Sequence, residues 1–220
     1  MDEDAREATA GRKQGGRRQE YAEATRQAIV DAARRLFAEQ GYFFTRVEDI
    51  AAEARVAPAT VYAVAGGKFS LMQKLVDVWS TAPDIKATDD DILRLEDAVA
   101  IIRLVSANAR GMREEYGDIM RIILATAPND PAVAATAQAA NTVYRDALTR
   151  ISQRIADLGA LRDGVDVTRA TDMLWLYFGY AGLFTMHDDN GWSWDQAEEW
   201  LADQAIHAVL GQYHLTRLNS

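Results

Sequence analysis

Few residues of this chain have the types and the spacing that catalysis or metal binding requires. The three histidines, His187, His207 and His214, all lie in the C-terminal quarter. Asp188 and Asp189 follow His187, a grouping that could bind a metal ion, although a helix end followed by solvated acids explains it better. The sequence has no cysteine and no nucleophile elbow, Walker loop or dinucleotide-binding glycine pattern. We therefore expect no enzyme, no catalytic residue, no cofactor and no metal site.

The basic residues offer a different chemistry, attraction to the phosphates of nucleic acid. The net charge is −9, but residues 11–76 hold 11 basic against 7 acidic residues, whereas residues 81–220 hold 12 against 21. A locally basic surface beside an acidic body is typical of a DNA-binding domain joined to a regulatory domain. An ordinary acidic protein with unevenly distributed charge would show the same pattern.

Residues 1–24 are predicted to form a basic, flexible arm. The segment 11–18 is rich in glycine and arginine and is expected to be disordered alone. It could lie along phosphates or enter a minor groove, or it could remain a solvated tail. The longest nearly apolar run, residues 173–186, is too short to cross a bilayer. We therefore expect a soluble, cytoplasmic protein with no membrane partner.

Three short amphipathic helices must position any DNA-binding residues. The apolar periodicity predicts helices over residues 26–40, 47–54 and 58–64, with an aromatic loop at 42–44 packed under them. Thr25 is predicted to cap the first helix, and Thr45 begins a capping-box pattern before the second. The tight turn before the third helix is typical of a helix-turn-helix, although any small three-helix bundle would share much of this pattern.

The run IVDAARRLFAEQGYFFTRVEDIAAEARVAPATVYAVAGGKFSLMQKLV, residues 29–76, resembles the DNA-binding domain of the TetR family of bacterial transcription regulators. The matching motifs are LFAEQGY, VEDIA, TVY and a lysine six residues after that tyrosine. The resemblance implies an all-α fold, with a helix-turn-helix domain at residues 25–70. A larger helical domain for ligand binding and dimerisation would follow at 71–220, giving about nine helices in all.

The resemblance also implies roles for individual residues. Ala57, Pro58 and Thr60 would lie at or near base edges in the major groove. Tyr62 would contact the sugar–phosphate backbone, and Lys68 would contact a phosphate. Where members of the family often have further contacts after TVY, this chain has three small apolar residues, 63–65.

The entry to the second helix supplies two more candidates. Thr45 and Arg46 stand there, where the family often has a threonine or serine in place of the arginine. Arg46 could bind a phosphate or a guanine in bidentate fashion and so replace a lost contact. A solvated arginine at a helix start is nearly as good an explanation.

After residue 70 the pattern is entirely helical. It predicts a helix over 71–80 and further helices over 92–109, 112–126, 131–158, 167–187 and 194–211. The last helix has two apolar stripes. Small residues predominate in one of them, Ala197, Leu201, Gln204, Ala205 and Ala208. The other consists of Ala202, Ile206, Val209, Leu210 and Tyr213. The last two helices are therefore predicted to form half of an intermolecular four-helix bundle, the alternative being burial within one subunit.

A ligand pocket is the weaker prediction for the body. Aromatic residues, methionines and a few polar groups are typical of a pocket for an apolar or aromatic molecule, but ordinary helical cores use the same residues. The candidate lining residues are Met112, Tyr116, Met120, Asn141, Tyr144, Trp175 and Phe178.

These observations together predict a homodimeric, ligand-responsive transcription regulator that binds a two-fold-related operator. Repression is the expected mode, relieved by a small apolar or aromatic molecule. Two alternatives remain open: a regulator controlled by protein contacts, and a helical enzyme or carrier whose DNA-binding domain is vestigial.

Overall fold

The computed structural model describes the backbone of residues 3–80 and 91–211 and the side chains of residues 19–77 and 91–211. Over these ranges the fold is all-α, as predicted, and a single isolated bridge joins Leu161 and Leu210. The first four helices are α1 (Glu3–Gln40), α2 (Val47–Glu53), α3 (Pro58–Ala65) and α4 (Lys68–Ser80). After a short helical stretch at 91–94, the further α-helices are α5 (Ala98–Thr126), α6 (Pro131–Asp157), α7 (Val167–Phe178), α8 (Tyr180–Phe184) and α9 (Trp194–Val209).

The chain divides into two compact units. One comprises residues 1–78 together with 121–134, and the other comprises 79–120 together with 135–220. The predicted boundary at residue 70 differs from this division. Both α4 and the segment around the α5–α6 connection belong with the helix-turn-helix, which we call the head; the other unit is the body.

Helix α1 begins much earlier than the sequence pattern predicts. Its backbone is helical from Glu3, not from Arg26. The predicted cap, Thr25, is wrong because its hydroxyl donates to the carbonyl of Tyr21, four residues back, at 2.8 Å. A threonine bonded in this way lies inside a helix rather than at its start. The flexible arm predicted for residues 1–24 is helical from Glu3 onward.

The core of the head forms where the three short helices meet. Ile29 and Phe37 of α1, Ile50 of α2 and Val61 of α3 are all buried. Full burial of such side chains stabilises the fold by roughly 1.5–3 kcal/mol each. An ion pair between Arg35 Nη2 and a carboxylate oxygen of Glu53, 2.7 Å apart, links the solvent side of α1 and α2.

The aromatic loop after α1 is only partly buried. Tyr42 is buried and packs edge-on against Phe37, with ring centroids 5.2 Å apart. Phe43 and Phe44, by contrast, are 50% and 81% exposed. The prediction that the whole loop packs under the head is therefore wrong for these two residues, whose side chains remain largely in solvent.

Two predicted helix boundaries in the body are also wrong. Helix α5 continues through Gly111, where an added Cβ would meet nothing within 4 Å. A glycine there costs only about 0.5–1 kcal/mol, which is too little to end a helix with buried side chains on both sides of it. Conversely, the single helix predicted over 167–187 is interrupted at Gly179, and a π-helix follows at Thr185–Asp189.

The last helix is packed mainly against its own subunit. Its two predicted stripes contain Ala197, Leu201, Ala202, Ala205, Ile206, Val209 and Leu210, all buried within the single chain. Gln204 and Ala208 are half-buried, and Tyr213 lies outside the described residues. These stripes therefore form the core of the subunit, and the prediction that they meet a partner helix is wrong for the buried members. The exposed apolar side chains of α7 and α9 are Leu176, at 68%, and Trp200, at 39%.

Candidate nucleic-acid interface

The turn between α2 and α3 sets the direction of the third helix. The backbone N–H of Val56 donates to the carbonyl of Ala51 at 2.9 Å and closes the turn. Arg55 adopts a left-handed conformation, with a φ of 56°, and among the described residues it is the one non-glycine residue that does so. This conformation costs roughly 1–2 kcal/mol for a residue with a Cβ. The strain is located beside the surface that α3 presents.

Helix α3 presents the outward face that the sequence predicts. Ala57 caps the helix in an extended conformation, and Pro58 occupies its first turn, where no N–H is needed. Both residues are exposed, and Thr60 beside them is half-buried. Val61 on the opposite side is fully buried, which fixes the rotation of α3 about its axis. The edge assigned to base contacts is therefore open to solvent.

Tyr62 is held at the end of this face by the glycine turn that follows α3. Gly66 ends the helix in a left-handed conformation, with a φ of 76°. A Cβ on Gly67 would lie 3.5 Å from Cε1 of Tyr62, so the ring lies along the turn. The side chain remains 56% exposed. A phenol fixed at its base and open at its tip is suited to hydrogen bonding with the DNA backbone.

Lys68 has contacts within the head that the sequence reasoning did not anticipate. Its Nζ donates to the carbonyls of Tyr42 at 2.8 Å and Thr45 at 3.2 Å, and lies 4.4 Å from the centroid of the Tyr42 ring. Two of the three ammonium N–H groups are therefore used to join α4 to the loop before α2. One N–H remains for the phosphate contact that the resemblance implies.

Burial and the nearby carboxylate of Asp130 shift the pKa values of Lys68 and Tyr42. Burial lowers the pKa of Lys68 below its ordinary value, and the charge of Asp130 opposes that effect. Burial also raises the pKa of the Tyr42 phenol, and here Asp130 acts in the same direction. Asp130 lies in the α5–α6 connection, where its Oδ1 accepts from the N–H of Ala132 at 3.0 Å. Within the head, the α5–α6 connection therefore acts electrostatically on Lys68 and Tyr42.

Thr45 is unsuited to the DNA contact proposed for it. The residue is 1% exposed, and its single hydroxyl proton is shared between the carbonyls of Gly41, at 2.9 Å, and Leu36, at 3.2 Å. The capping box is also displaced by one residue, because a carboxylate oxygen of Asp49 accepts from the N–H of Arg46 at 3.0 Å. Thr45 is therefore a buried structural residue, whereas Arg46 is exposed.

Arg55 is an exposed cation beside α3 that the sequence analysis did not include among the candidate DNA-binding residues. It lies in the turn between α2 and α3, and its side chain is exposed immediately before α3. Together with Arg46 at the start of α2, it provides a positive charge at each end of the second helix. Its position as the sole arginine between the two helices was the signal available in the sequence.

The predicted ligand-binding residues are only partly brought together. Tyr144 and Trp175 pack edge-on, with centroids 5.6 Å apart, and the Tyr144 hydroxyl donates to the carbonyl of Phe178 at 2.8 Å. Phe178 and Met120 are buried core residues. Met112, Tyr116 and Asn141 are half-buried. The structure therefore brings Trp175 and Phe178 together around Tyr144.

A groove of about 320 Å³ lies elsewhere in the body, between α5 and α9. Its lining residues are Arg103, Arg110, Asp195, Glu198, Glu199 and Ala202. Hydrogen bonds to Glu198, Asp195 and Glu114 hold the pKa of Arg110 above its ordinary value. The groove is charged and unlike the apolar pocket that the sequence predicts.

The grouping at His187 is held by structural contacts. The Nδ1 of His187 lies 2.8 Å from the carbonyl of Trp192, and its ring stacks on Trp194 with centroids 3.8 Å apart. Over the described ranges, no group of three or more His, Asp or Glu side chains is arranged to hold a metal ion. No helix in those ranges is both long and apolar enough to cross a membrane.

The family comparison identifies the head. Residues 29–75 match the model of the bacterial regulatory proteins of the tetR family. Over these residues the head is similar to the DNA-binding domain of that family. The resemblance predicted from the sequence is thus confirmed. No curated protein matches the chain.

Solved structures extend the similarity of fold beyond the TetR-family domain. A tetR-family regulator from Mesorhizobium loti is 21% identical, with a TM-score of 0.66 over 85% of this chain and 95% of that one. A regulator from Saccharomonospora viridis in complex with choline is 18% identical, with a TM-score of 0.67 over 84% and 97%. FadR from Bacillus subtilis in complex with stearoyl-CoA is 18% identical, with a TM-score of 0.66 over 83% and 98%. The body therefore shares the fold of these regulators.

Proposed function

We propose that this chain is a transcriptional repressor that binds a two-fold-related operator as a homodimer and is released by a small molecule. The observation that carries the proposal is the outward face of α3, exposed within a domain that matches the TetR family. Ala57, Pro58 and Thr60 are assigned to base edges, and Tyr62 to the DNA backbone. Arg46 and Arg55 are assigned to phosphates. Because the target is chromosomal DNA, the protein is placed in the cytoplasm.

DNA binding can be tested by mobility shift against DNA from upstream of the chain's own gene, over a range of salt concentrations. Thr60→Ala should change which sequence is preferred, since a base contact is lost. Tyr62→Ala should weaken binding to all sequences alike, since a backbone contact carries no sequence information. Arg94→Ala serves as the control because this side chain is 77% exposed and belongs to the body. Wild-type protein that binds no DNA more tightly than random sequence would refute the proposal.

The homodimer is supported by the exposed apolar side chains on α7 and α9. Leu176→Glu and Trp200→Glu place charges on this surface and should produce monomers in light-scattering measurements, whereas Val143→Glu on α6, where the side chain is 66% exposed, should not. If both variants remained dimeric, the interface would lie elsewhere. Monomers should bind the operator weakly, because two heads at a fixed separation read its two halves.

Release by a small molecule is supported by the bound choline and stearoyl-CoA of the two related structures. One observation favours the alternative of control by protein contacts. The groove between α5 and α9 is charged and open, which suits a polar protein surface better than an apolar molecule. Displacement of operator DNA by a small-molecule library, in the absence of other proteins, separates the two mechanisms.

A further inference from the structure

A buried arginine supports the break between α7 and α8. At Gly179 the helix is interrupted, because this residue is extended, with a ψ of 178°, and separates α7 from α8. Nη2 of Arg113, on α5, donates to the carbonyls of Phe178 and Gly179, both at 2.8 Å. The Tyr144 hydroxyl donates to the first of them at the same distance. Three helices of the body therefore meet at this point.

The charge of Arg113 has no counter-ion in the described structure. The residue is 3% exposed, and it forms no ion pair with any residue in the described ranges. Its Nη1 donates to the carbonyl of Ala109 at 2.5 Å, whereas its Nε has no hydrogen-bond partner. Burial lowers the pKa of this guanidinium, and the phenols of Tyr144 and Tyr180 act in the opposite direction. Dipoles of carbonyls and phenols offset only part of the free energy lost when this cation is removed from water, because no carboxylate among the described residues pairs with it.

Aromatic rings surround this cation. Trp175 packs edge-on against Tyr180, with centroids 5.8 Å apart, and Tyr144 lies 6.4 Å from the same ring. The guanidinium carbon of Arg113 lies 5.8 Å from the centroid of Phe184. Trp175 and Tyr180 are half-buried, so the aromatic cluster reaches the surface. It offers apolar contact to a molecule whose charged end reaches Arg113.

A second polar atom in the same region is also unsatisfied. The Oδ1 of Asn141 is buried without a hydrogen-bond partner. Asn141 precedes Tyr144 by three residues on α6, which places both on one face of that helix. An acceptor on that face suits a hydroxyl or amine of a bound molecule. Buried polar atoms without partners are uncommon in native structures and call for an explanation.

We propose that Arg113 is the anion-binding residue of the effector site and that the effector is an organic acid with an aromatic or apolar body. The inference rests on the proposed ligand response and names the chemistry of its ligand. A carboxylate would bond to the free Nε–H and supply the missing negative charge. The π-helix that follows α8 is an irregular segment of a kind often found at functional sites.

The test uses the full-length protein and two matched pairs of probes, 4-phenylbutanoate with 4-phenylbutanamide and octanoate with octanamide. Binding is followed by tryptophan fluorescence and by the shift in melting temperature. At least one acid should bind, and its amide should bind roughly tenfold to hundredfold more weakly, the range that a charged hydrogen bond supplies. Arg113→Met should remove this preference, and Arg113→Lys should retain part of it. Arg110→Met, the matched control on the same helix, should keep it.

Three results would overturn the inference. Amides could bind as well as acids, no probe could bind at millimolar concentration, or the acid preference could survive in Arg113→Met. Should Arg113→Met fail to fold, wild-type binding still decides the matter, because it must fall as pH drops through the pKa of the probe's carboxyl group. Failure of the proposed function is distinct from these results. A protein that binds the acid but does not release operator DNA in response would retain the site and lose the regulatory role.

Discussion

Replacing Lys68 by methionine distinguishes its two roles, joining α4 to the loop before α2 and contacting a DNA phosphate. The change keeps most of the side chain's length and removes the ammonium. Two hydrogen bonds to the carbonyls of Tyr42 and Thr45 are lost, together with the contact to the Tyr42 ring. A hydrogen bond from a charged group contributes roughly 1.5–3 kcal/mol, and partial exposure reduces that value. We expect a loss of about 1–3 kcal/mol in the free energy of unfolding.

Urea denaturation and the salt dependence of DNA binding should be measured on the same variant. A role within the head predicts a lower urea midpoint and an almost unchanged slope of log K against log salt. A phosphate contact predicts the opposite, a slope reduced by about 0.9 with stability unaffected. Lys74→Met on the same helix is the matched control. Stability within about 0.5 kcal/mol of the wild type, together with the reduced slope, would refute our reasoning about Lys68.

Three further changes have clear expected outcomes. Arg55→Ala keeps the left-handed strain and deletes only the charge, so the salt slope should fall by about 0.9 with little change in stability; an unchanged slope would exclude a phosphate contact. Gly179→Ala should destabilise the body, since a Cβ there would lie 2.3 Å from the carbonyl oxygen of Trp175, whereas Gly111→Ala should stabilise it by about 0.5–1 kcal/mol in thermal unfolding. Burial raises the pKa of the Tyr180 phenol above 10.0, so the unfolded chain loses this proton first and stability must fall as pH rises above about 10. Tyr180→Phe should reduce that fall in urea titrations at pH 9 and 11, and an identical fall in both proteins would contradict the assigned burial.

The exposed face of α3 could be predicted because it depends on local periodicity. Val61 and Ala65 recur at helical spacing on the buried side, and Pro58 and Gly66 mark the ends. Each of these signals lies within ten residues of the next. The helix-turn-helix, which rests on such local rules, was accordingly predicted from the sequence.

The role of Lys68 could not be predicted, because its partners lie elsewhere in the chain. The carbonyl that accepts from it belongs to Tyr42, 26 residues away. The break at Gly179 could not be predicted for the same reason, since Arg113, which donates to the Gly179 carbonyl, is 66 residues away in the sequence. The sequence around Gly179 is apolar on all sides and gives no local signal for a break. Contacts of this kind follow from packing, which periodicity does not encode.

The burial of the α9 stripes shows the other limit of pattern reading. A helix with two apolar faces must pack on two sides, and the pattern does not reveal whether the second neighbour belongs to the same chain. In this chain the loop after α6 is one such neighbour from the same subunit. The N–H of Arg162 donates to the carbonyl of Val209 at 2.9 Å, and the N–H of Gly211 donates to the carbonyl of Ala160 at 3.0 Å. The end of α9 is thereby attached to its own subunit.

The left-handed conformation of Arg55 has a consequence for anyone who wishes to engineer this protein. Glycine at this position would relax the backbone and stabilise the protein by about 1 kcal/mol, yet it would delete a cation beside α3, the helix that we propose contacts DNA. Lysine would keep the cation and the distortion alike. At this residue, stability and the proposed affinity for DNA therefore change in opposite directions. Selection for thermal stability alone would be expected to yield a more stable protein that binds DNA more weakly.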